Sequence, residues 1–260
     1  MDREQIIEQV EKVFLGFVVE ENKEHEEDGE ENPTIIVIDI LNEEEDCVYI
    51  KFTIMMFDRN LINIDNIDNC GDTGIGNTML MLVDRLSHII DSCAIELIDH
   101  AKIQMGKYNV SLALLNTLQS GQTWYSSKGY RCKEMTPLQH AARIAKNVEV
   151  IQSSLMDEIG IDDGMLDKIH RKNPALVPSL NVQTYFIIVA EIFKDWKNCK
   201  YIKSLTKLIH EIDKLKMLDV ECRNNMMIKQ ITDASGIYTK KRRKGKRRRQ
   251  LQMKTKRRHN

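Results

Sequence analysis

Apolar residues recur at spacings of three and four over Glu4–Phe17, with Glu and Lys between them, which predicts an amphipathic helix. Two stretches rich in Ile, Val, Phe and Tyr follow, at Thr34–Leu41 and Cys47–Phe57. The polar residues between them favour a turn, so the two stretches predict a β-hairpin. A short third strand is predicted at Leu61–Ile64.

A glycine-rich loop, Asn69–Gly76, leads directly into Asn77–Asp91, where apolar residues on one face predict a helix. Ala94–Ile98 and Tyr130–Glu134 have the composition of strands, and Val110–Trp124 has the apolar spacing of a second helix. This order of strands and helices predicts an α/β arrangement in layers.

The pattern becomes helical from Pro137 onward, with further helices predicted at Gln183–Trp196 and Tyr201–Met217. No strand is predicted beyond residue 135. The chain is therefore expected to contain an N-terminal helix and acidic linker (1–32), an α/β domain (33–135), a small α-helical module (136–235) and a disordered basic tail (236–260).

Charge is distributed very unevenly along the chain. Thirteen of the 38 Lys and Arg residues lie in Lys240–Asn260, which has no Asp or Glu and almost no apolar residue. Removing those thirteen leaves 25 basic against 39 acidic residues in the rest of the chain. A segment such as Lys240–Asn260 cannot build a core, so it is predicted to be disordered.

The basic tail is predicted to bind nucleic acid or another polyanion through phosphates, without sequence preference, and to release it as salt rises. Alternatives are a nuclear-import signal and a tail that only aids solubility. The phosphate contacts are predicted for the part of the tail in which basic residues are most closely spaced: Lys240, Lys241, Arg242, Arg243, Lys244, Lys246, Arg247, Arg248 and Arg249.

An acidic run, Glu20–Glu31, precedes the first predicted strand and is closed by Pro33. Such a run is typical of a solvated linker. An alternative is that it binds the basic tail within the molecule when nucleic acid is absent.

The six cysteines are widely spaced, form no Cys-x-x-Cys pair and follow no secretory signal. They are expected to be reduced thiols in an intracellular protein, with the nucleus or a virion as candidate locations. No metal site is predicted, because neither the Cys nor the seven His have metal-ligand spacing. No apolar run approaches the ~20 residues that span a bilayer, so no membrane partner is expected. The abundance of Ile, Asn, Asp and Lys is typical of an AT-rich genome, such as that of a large DNA virus or a protozoan.

The loop Gly71–Thr78 nearly matches the nucleotide-binding pattern in which a Lys precedes Ser or Thr, but Asn77 occupies the Lys position. Without that cation a nucleotidase would lack the group that reaches the terminal phosphates. A Gly-rich turn that begins a helix still offers N–H groups and the positive end of the helix dipole to a pyrophosphate. Coenzyme A carries such a group.

Two motifs give the region from Thr34 to about Glu134 a resemblance to the GNAT superfamily of acetyl-CoA-dependent acyltransferases. The first is Gly74-Ile75-Gly76, which is similar to the family's pyrophosphate loop, although Gly71 stands where an Arg or Gln is usual.

The second motif is Trp124-Tyr-Ser-Ser-Lys-Gly-Tyr130, which resembles the family's aromatic-Tyr-x-x-x-Gly-aromatic ending. Gly121 stands where the family has a small residue. The two motifs are separated by one helix and the predicted strand Ala94–Ile98, as in the family.

The resemblance implies a GNAT-like mixed sheet flanked by helices, acetyl-CoA as the cofactor and an amine as the acceptor. It implies that Gly74, Ile75, Gly76 and Asn77 bind the cofactor, and that Tyr125 protonates the departing CoA thiolate.

The residues themselves leave other roles open. Tyr125 and its aromatic neighbours Trp124 and Tyr130 are equally compatible with a core that closes the edge of the sheet. Three acidic residues are candidates for the base that deprotonates the amine, and the sequence favours none of them over the others: Asp72, Glu96 and Asp99.

The chain also departs from the family, because a helical module is predicted where the family continues with a strand pair that helps to form the substrate site. Two functions are therefore carried forward. One is an N-acetyltransferase tethered to nucleic acid by its tail; the other is a catalytically inactive protein of the same fold that acts as a nucleic-acid-binding or structural virion protein.

Overall fold

The computed structural model describes residues 1–22, 34–44, 47–68, 70, 74–99, 102–105, 107–220, 222 and 226–231. These residues form two compact units. The first unit contains Met1–Glu96 and the described residues from Gln230 onward, and the second contains Leu97–Lys229. The architecture is α/β with a mixed sheet flanked by helices, as the sequence predicts.

The first unit begins with a helix and continues with an antiparallel meander, in which each strand pairs with the next. Its elements are α1 (Arg3–Val13), β1 (Val18–Asn22), β2 (Thr34–Leu41), β3 (Val48–Met56) and β4 (Asn60–Ile67). The Asp2 side chain begins α1 by accepting the N–H of Gln5, whose own side chain accepts the N–H of Asp2.

Alternate side chains of the meander build the core of the first unit. Ile36, Ile38 and Ile40 of β2 are fully buried, and so are their register partners on β3, which are Ile54, Phe52 and Ile50. Phe14 packs on this face by stacking against Phe52, with ring centroids 5.7 Å apart.

Helix α2 (Ile75–Ile89) and strand β5 (Ser92–Ile98) follow the meander, and β5 is the hydrogen-bonded neighbour of β4. Asn60, which begins β4, donates from Nδ2 to the Ile90 carbonyl at 2.6 Å, and its carbonyl accepts the Ser92 hydroxyl at 3.0 Å. The two strands therefore start side by side and run in the same direction. A parallel pair joined by a helix places the start of α2 at the carboxyl end of β4.

The second unit consists mainly of helices packed around one apolar core, with two short antiparallel pairs of strands. Leu118, Phe186 and Leu208, from three different helices, are fully buried in that core. The elements are β6 (Lys102–Met105), β7 (Tyr108–Ser111), α3 (Leu112–Ser120), β8 (Arg131–Cys132), α4 (Pro137–Ser153), α5 (Asp163–Lys172), α6 (Val182–Lys194), α7 (Ile202–Leu215) and β9 (Met226–Gln230).

Strong periodic patterns were reliable guides to these elements. The N-terminal helix, the β2–β3 hairpin, α2, β5 and the helices α6 and α7 are confirmed, with ends shifted by a few residues. Strand β4 is longer than the predicted strand Leu61–Ile64, because it extends to Ile67.

Two predictions are wrong, and a third needs its ends moved. Glu20 and Glu21 were assigned to the linker but belong to β1, where the Glu21 carboxylate forms a 2.7 Å ion pair with Arg3. The predicted helix Val110–Trp124 is confirmed as α3, but it begins at Leu112, because Ser111 ends β7 and its hydroxyl caps α3 by accepting the Leu114 N–H. Strand β9 lies beyond residue 135 and pairs with β8, placing Cys132 opposite Met227. The rest of the acidic run, residues 23–31, lies outside the described residues.

The expectation of reduced thiols is also wrong for four of the six cysteines. Cys47 is bonded to Cys70 and Cys132 to Cys222, whereas Cys93 and Cys199 are free. The partners are 23 and 90 residues apart in sequence, so only the fold brings them together. Among the described helices, none has both the length and the apolar character that crossing a membrane requires.

Candidate functional site

The glycine-rich loop ends at Gly74, which adopts a left-handed conformation (φ 89°) immediately before α2. No described atom lies within 4 Å of the position that a Cβ at Gly74 would occupy. The N–H of Asn77 donates to the Gly74 carbonyl at 3.0 Å, which closes the first turn of the helix. Ile75 and Gly76, the first two residues of the helix, have N–H groups without an acceptor among the described residues.

The described residues at the start of α2 contain no compensating acidic charge. Among the described residues, no side chain caps the helix, and its first turn contains no acidic residue. The two N–H groups and the helix dipole therefore leave a positive end that favours an anion.

Two irregular features lie close to this loop in the chain. Strand β4 has a bulge at Asp65, because Lys51 is opposite Asn66 whereas Phe52 is opposite Ile64. The disulfide from Cys70 to Cys47 then ties the segment after β4 to the start of β3. The loop is thus anchored just before its glycines, a constraint that sequence reasoning missed.

Tyr125 lies in the second unit, where it is 6% exposed and packs edge-on against two aromatic rings. Its ring centroid is 4.8 Å from that of Trp124 and 6.0 Å from that of Tyr130. Burial, reinforced by the negative charge of Asp99, raises the pKa of Tyr125 above its usual value. The phenol is therefore neutral at pH 7 and retains the proton that an acid catalyst donates.

A cavity of about 110 Å³ opens in the second unit and is lined by Asp99 and by Thr123, two residues before Tyr125. Asp213 of α7 and Cys222 also line it. The Asp213 carboxylate forms a 3.5 Å ion pair with Lys216. The cavity thus combines two carboxylates with a disulfide sulfur.

The candidate bases are differently placed. Asp99 lines the cavity and acts electrostatically on Tyr125, whereas Glu96 is half-buried in β5. Asp72 lies outside the described residues, as do all nine predicted phosphate-binding cations between Lys240 and Arg249.

The small residue that the resemblance places at Gly121 has a physical explanation. Gly121 ends α3 in a left-handed conformation (φ 78°), and a Cβ there would lie 2.4 Å from Cγ2 of Val148 and 2.9 Å from its backbone nitrogen. Only a residue without a side chain lets the end of α3 approach α4 this closely.

Helix α4 presents a buried polar face that sequence reasoning missed. Arg143 and Asn147 are 7% and 3% exposed, and with His140 they recur at spacings of three and four. Asn147 donates from Nδ2 to the Gly121 and Asp219 carbonyls at 3.2 and 2.9 Å, and its Oδ1 accepts the Asp219 N–H at 3.0 Å. That spacing of polar residues was the available signal, because a helix in this setting usually buries apolar residues.

The guanidinium of Arg143 faces the Cys132–Cys222 disulfide. Its Nη1 donates to Sγ of Cys132 at 2.8 Å and lies 3.9 Å from Sγ of Cys222. Nη2 donates to Nδ1 of His140 at 3.2 Å. Because a guanidinium only donates, Nδ1 is an acceptor, and burial together with Arg143 and Arg131 lowers the pKa of His140.

Comparison of the chain with protein-family models, curated proteins and solved structures found no match.

Proposed function

We propose that this protein is an acetyl-CoA-dependent N-acyltransferase of the GNAT type, held on nucleic acid by its basic C-terminal tail. The observation that carries the proposal is the start of α2. There, a left-handed glycine with no described atom within 4 Å of its Cβ position is followed by two N–H groups without a described acceptor, at the carboxyl end of β4. In open α/β sheets this edge is the usual position of a bound phosphate.

The arrangement of strands supports the same proposal. A parallel β4–α2–β5 segment follows an antiparallel meander, which is the order that the resemblance implies. The strand pair expected after the Gly-aromatic ending has a counterpart in β8 and β9, which pair although helices α4–α7 stand between them in sequence. The helical module is thus an insertion between paired strands rather than a replacement of them.

In the proposed reaction, the amine attacks the acetyl carbonyl, and the C–S bond to coenzyme A breaks as the amide forms. Tyr125 donates its phenolic proton to the departing thiolate, and a carboxylate accepts the proton that the amine loses. Asp99 is the first carboxylate to test, because it lines the cavity beside Thr123. A carboxylate-lined cavity also favours a cationic amine as the acceptor.

A second candidate function is a catalytically inactive protein of the same fold that binds nucleic acid or other subunits. The burial of Tyr125 between two aromatic rings favours it, because this packing is what a core residue needs.

Titration calorimetry with acetyl-CoA tests the cofactor site. The variant Gly76→Val places a branched side chain at the second residue of α2, where the pyrophosphate would approach, and should abolish binding. Gly164→Val is the matched control, since Gly164 is the second residue of α5 and has ordinary van der Waals room for a Cβ.

Retention of wild-type affinity in Gly164→Val and its loss in Gly76→Val would support the proposal. Equal affinity in all three proteins, or no binding by the wild type, would reject the cofactor site. Binding by the wild type without turnover of amine acceptors would select the inactive candidate.

A further inference from the structure

The two disulfides have opposite electrostatic surroundings. A carboxylate oxygen of Asp68 lies within 4.8 Å of both sulfurs of the Cys47–Cys70 pair, and Asp68 also accepts the Cys70 N–H at 3.0 Å. The Cys132–Cys222 pair has the Arg143 guanidinium instead, 2.8 Å from Cys132 Sγ. A thiolate is stabilised by a nearby cation and destabilised by a nearby anion.

Arg143 remains positively charged in this position. Burial lowers its pKa and Asp219 raises it, but a guanidinium stays protonated in proteins. The contact with His140 does not cancel the charge, because the accepting imidazole is neutral. A nearly buried cation is therefore directed at a sulfur that carries no charge while the disulfide is intact.

The two sulfurs of this pair differ in access and in distance from the cation. Cys132 is 1% exposed, whereas Cys222 is 7% exposed and lines the 110 Å³ cavity. Arg143 is closer to Cys132 than to Cys222. A thiol entering the cavity would thus meet Cys222, and the sulfur that it displaces would be the one beside the guanidinium.

We propose that Cys132–Cys222 is a redox-active disulfide that accepts electrons from a dithiol reductant. A thiolate of the reductant attacks Cys222 Sγ and forms a mixed disulfide. The Cys132–Cys222 bond breaks, and its electron pair goes to Cys132 Sγ as a thiolate held by Arg143. The second thiol of the reductant then attacks the reductant sulfur that is bonded to Cys222. This step releases Cys222, which takes a proton from water.

The overall step transfers two electrons: the reductant becomes a disulfide, and the protein gains a Cys132 thiolate and a Cys222 thiol. Arg143 stabilises the leaving group, and a leaving thiolate of lower basicity departs faster. It also stabilises the reduced product. Cys47–Cys70 has neither advantage, because Asp68 opposes a thiolate at both of its sulfurs.

The first experiment uses the oxidised full-length protein in buffers of graded reduced to oxidised dithiothreitol. After acid quenching, differential alkylation and peptide mass spectrometry give the reduced fraction of each pair. Cys132–Cys222 should reach half reduction at a ratio roughly tenfold lower than Cys47–Cys70, a difference of about 30 mV for a two-electron couple. Simultaneous reduction, earlier reduction of Cys47–Cys70, or a purified protein without the Cys132–Cys222 bond would overturn the proposal.

Variants test the cause of the difference. Arg143→Met should raise the ratio that half-reduces Cys132–Cys222 by roughly tenfold without moving Cys47–Cys70, and Arg143→Lys should retain most of the wild-type preference. Asp68→Asn keeps an oxygen for the Cys70 N–H and should make Cys47–Cys70 easier to reduce. An Arg143→Met protein that folds and behaves like wild type would refute the role of the guanidinium.

The order of attack can be read directly in the wild type, so that it does not depend on whether Arg143→Met folds. Brief exposure to glutathione, followed by acid quenching and alkylation, should trap the mixed disulfide on Cys222. A mixed disulfide found mainly on Cys132 would contradict the proposed geometry.

Discussion

Gly74 and Gly121 have almost the same backbone conformation at helix ends, with φ of 89° and 78°, but opposite surroundings. A Cβ at Gly74 would meet no described atom within 4 Å, whereas one at Gly121 would collide with Val148. The first glycine leaves room in front of backbone donors, and the second lets two helices meet. A glycine that a motif singles out can therefore serve a ligand or the core, and only its neighbours distinguish the two roles.

The largest loss of stability is expected from Gly121→Ala. The new methyl group would overlap the backbone of α4 and would hold a left-handed conformation that alanine disfavours. We expect a loss of about 3 kcal/mol in the free energy of unfolding, measured by urea denaturation. A loss below that of Gly74→Ala would show that α3 and α4 adjust easily.

Asn147→Ala should be the next most damaging change. It removes three hydrogen bonds and leaves the carbonyls of Gly121 and Asp219 without this donor. The expected loss of stability is about 2 kcal/mol. Asn198→Ala, which removes one exposed hydrogen bond to Asp195, is the control and should change stability by less than about 0.5 kcal/mol.

Gly74→Ala tests the other side of the comparison. Among the described residues, only the left-handed backbone of Gly74 opposes the substitution, so the expected loss of stability is about 1 kcal/mol. When both variants are denatured by heat under the same conditions, Gly121→Ala should have a melting temperature well below that of Gly74→Ala. Equal midpoints would remove the distinction between an open and a filled glycine site.

Tyr125→Phe separates acid catalysis from packing, because it removes one hydroxyl and keeps the ring. If the phenol protonates the thiolate, turnover should fall by roughly 100-fold while acetyl-CoA affinity stays unchanged. Its stability should change by no more than about 1 kcal/mol. Tyr185→Phe is the control, because Tyr185 is fully buried and its hydroxyl has no partner among the described residues. Unchanged turnover in Tyr125→Phe would leave Tyr125 a packing residue.

Deletion of Lys240–Asn260 should have the smallest effect on stability, since the segment contains almost no apolar residue. The thermal midpoint of the body should stay constant, while affinity for DNA or RNA should fall sharply in a filter-binding assay at fixed salt. Affinity retained after deletion would locate nucleic-acid binding elsewhere in the chain.

The sequence predicted the elements that local composition or spacing marks and missed those that depend on distant partners. Thr34–Leu41 is a nearly continuous run of β-branched and other apolar residues, so β2 was visible without its neighbours. Strand β8 lies within the predicted strand Tyr130–Glu134, but its partner β9 lies beyond four helices, so no local pattern revealed β9 or the pair.

The candidate site was predictable to a similar degree. The glycines of α2 follow from a local motif, and the structure places the helix start there. The contact of Arg143 in α4 with Cys132 in β8 is a hydrogen bond between two side chains. Neither composition nor spacing encodes that contact or the pairing of Cys132 with Cys222, which are 90 residues apart, so the widely spaced cysteines were expected to be reduced.

The bond between Cys132 and Cys222 also makes the intervening segment, which contains α4–α7, a closed covalent ring. Under a mechanical load applied at the two ends of the chain, force would pass across the sulfur bridge and bypass those helices. Reduction would then release a hidden length of about 300 Å, since an extended residue spans at most roughly 3.3–3.6 Å. The inserted helices are thus shielded from tension for as long as the bridge is intact.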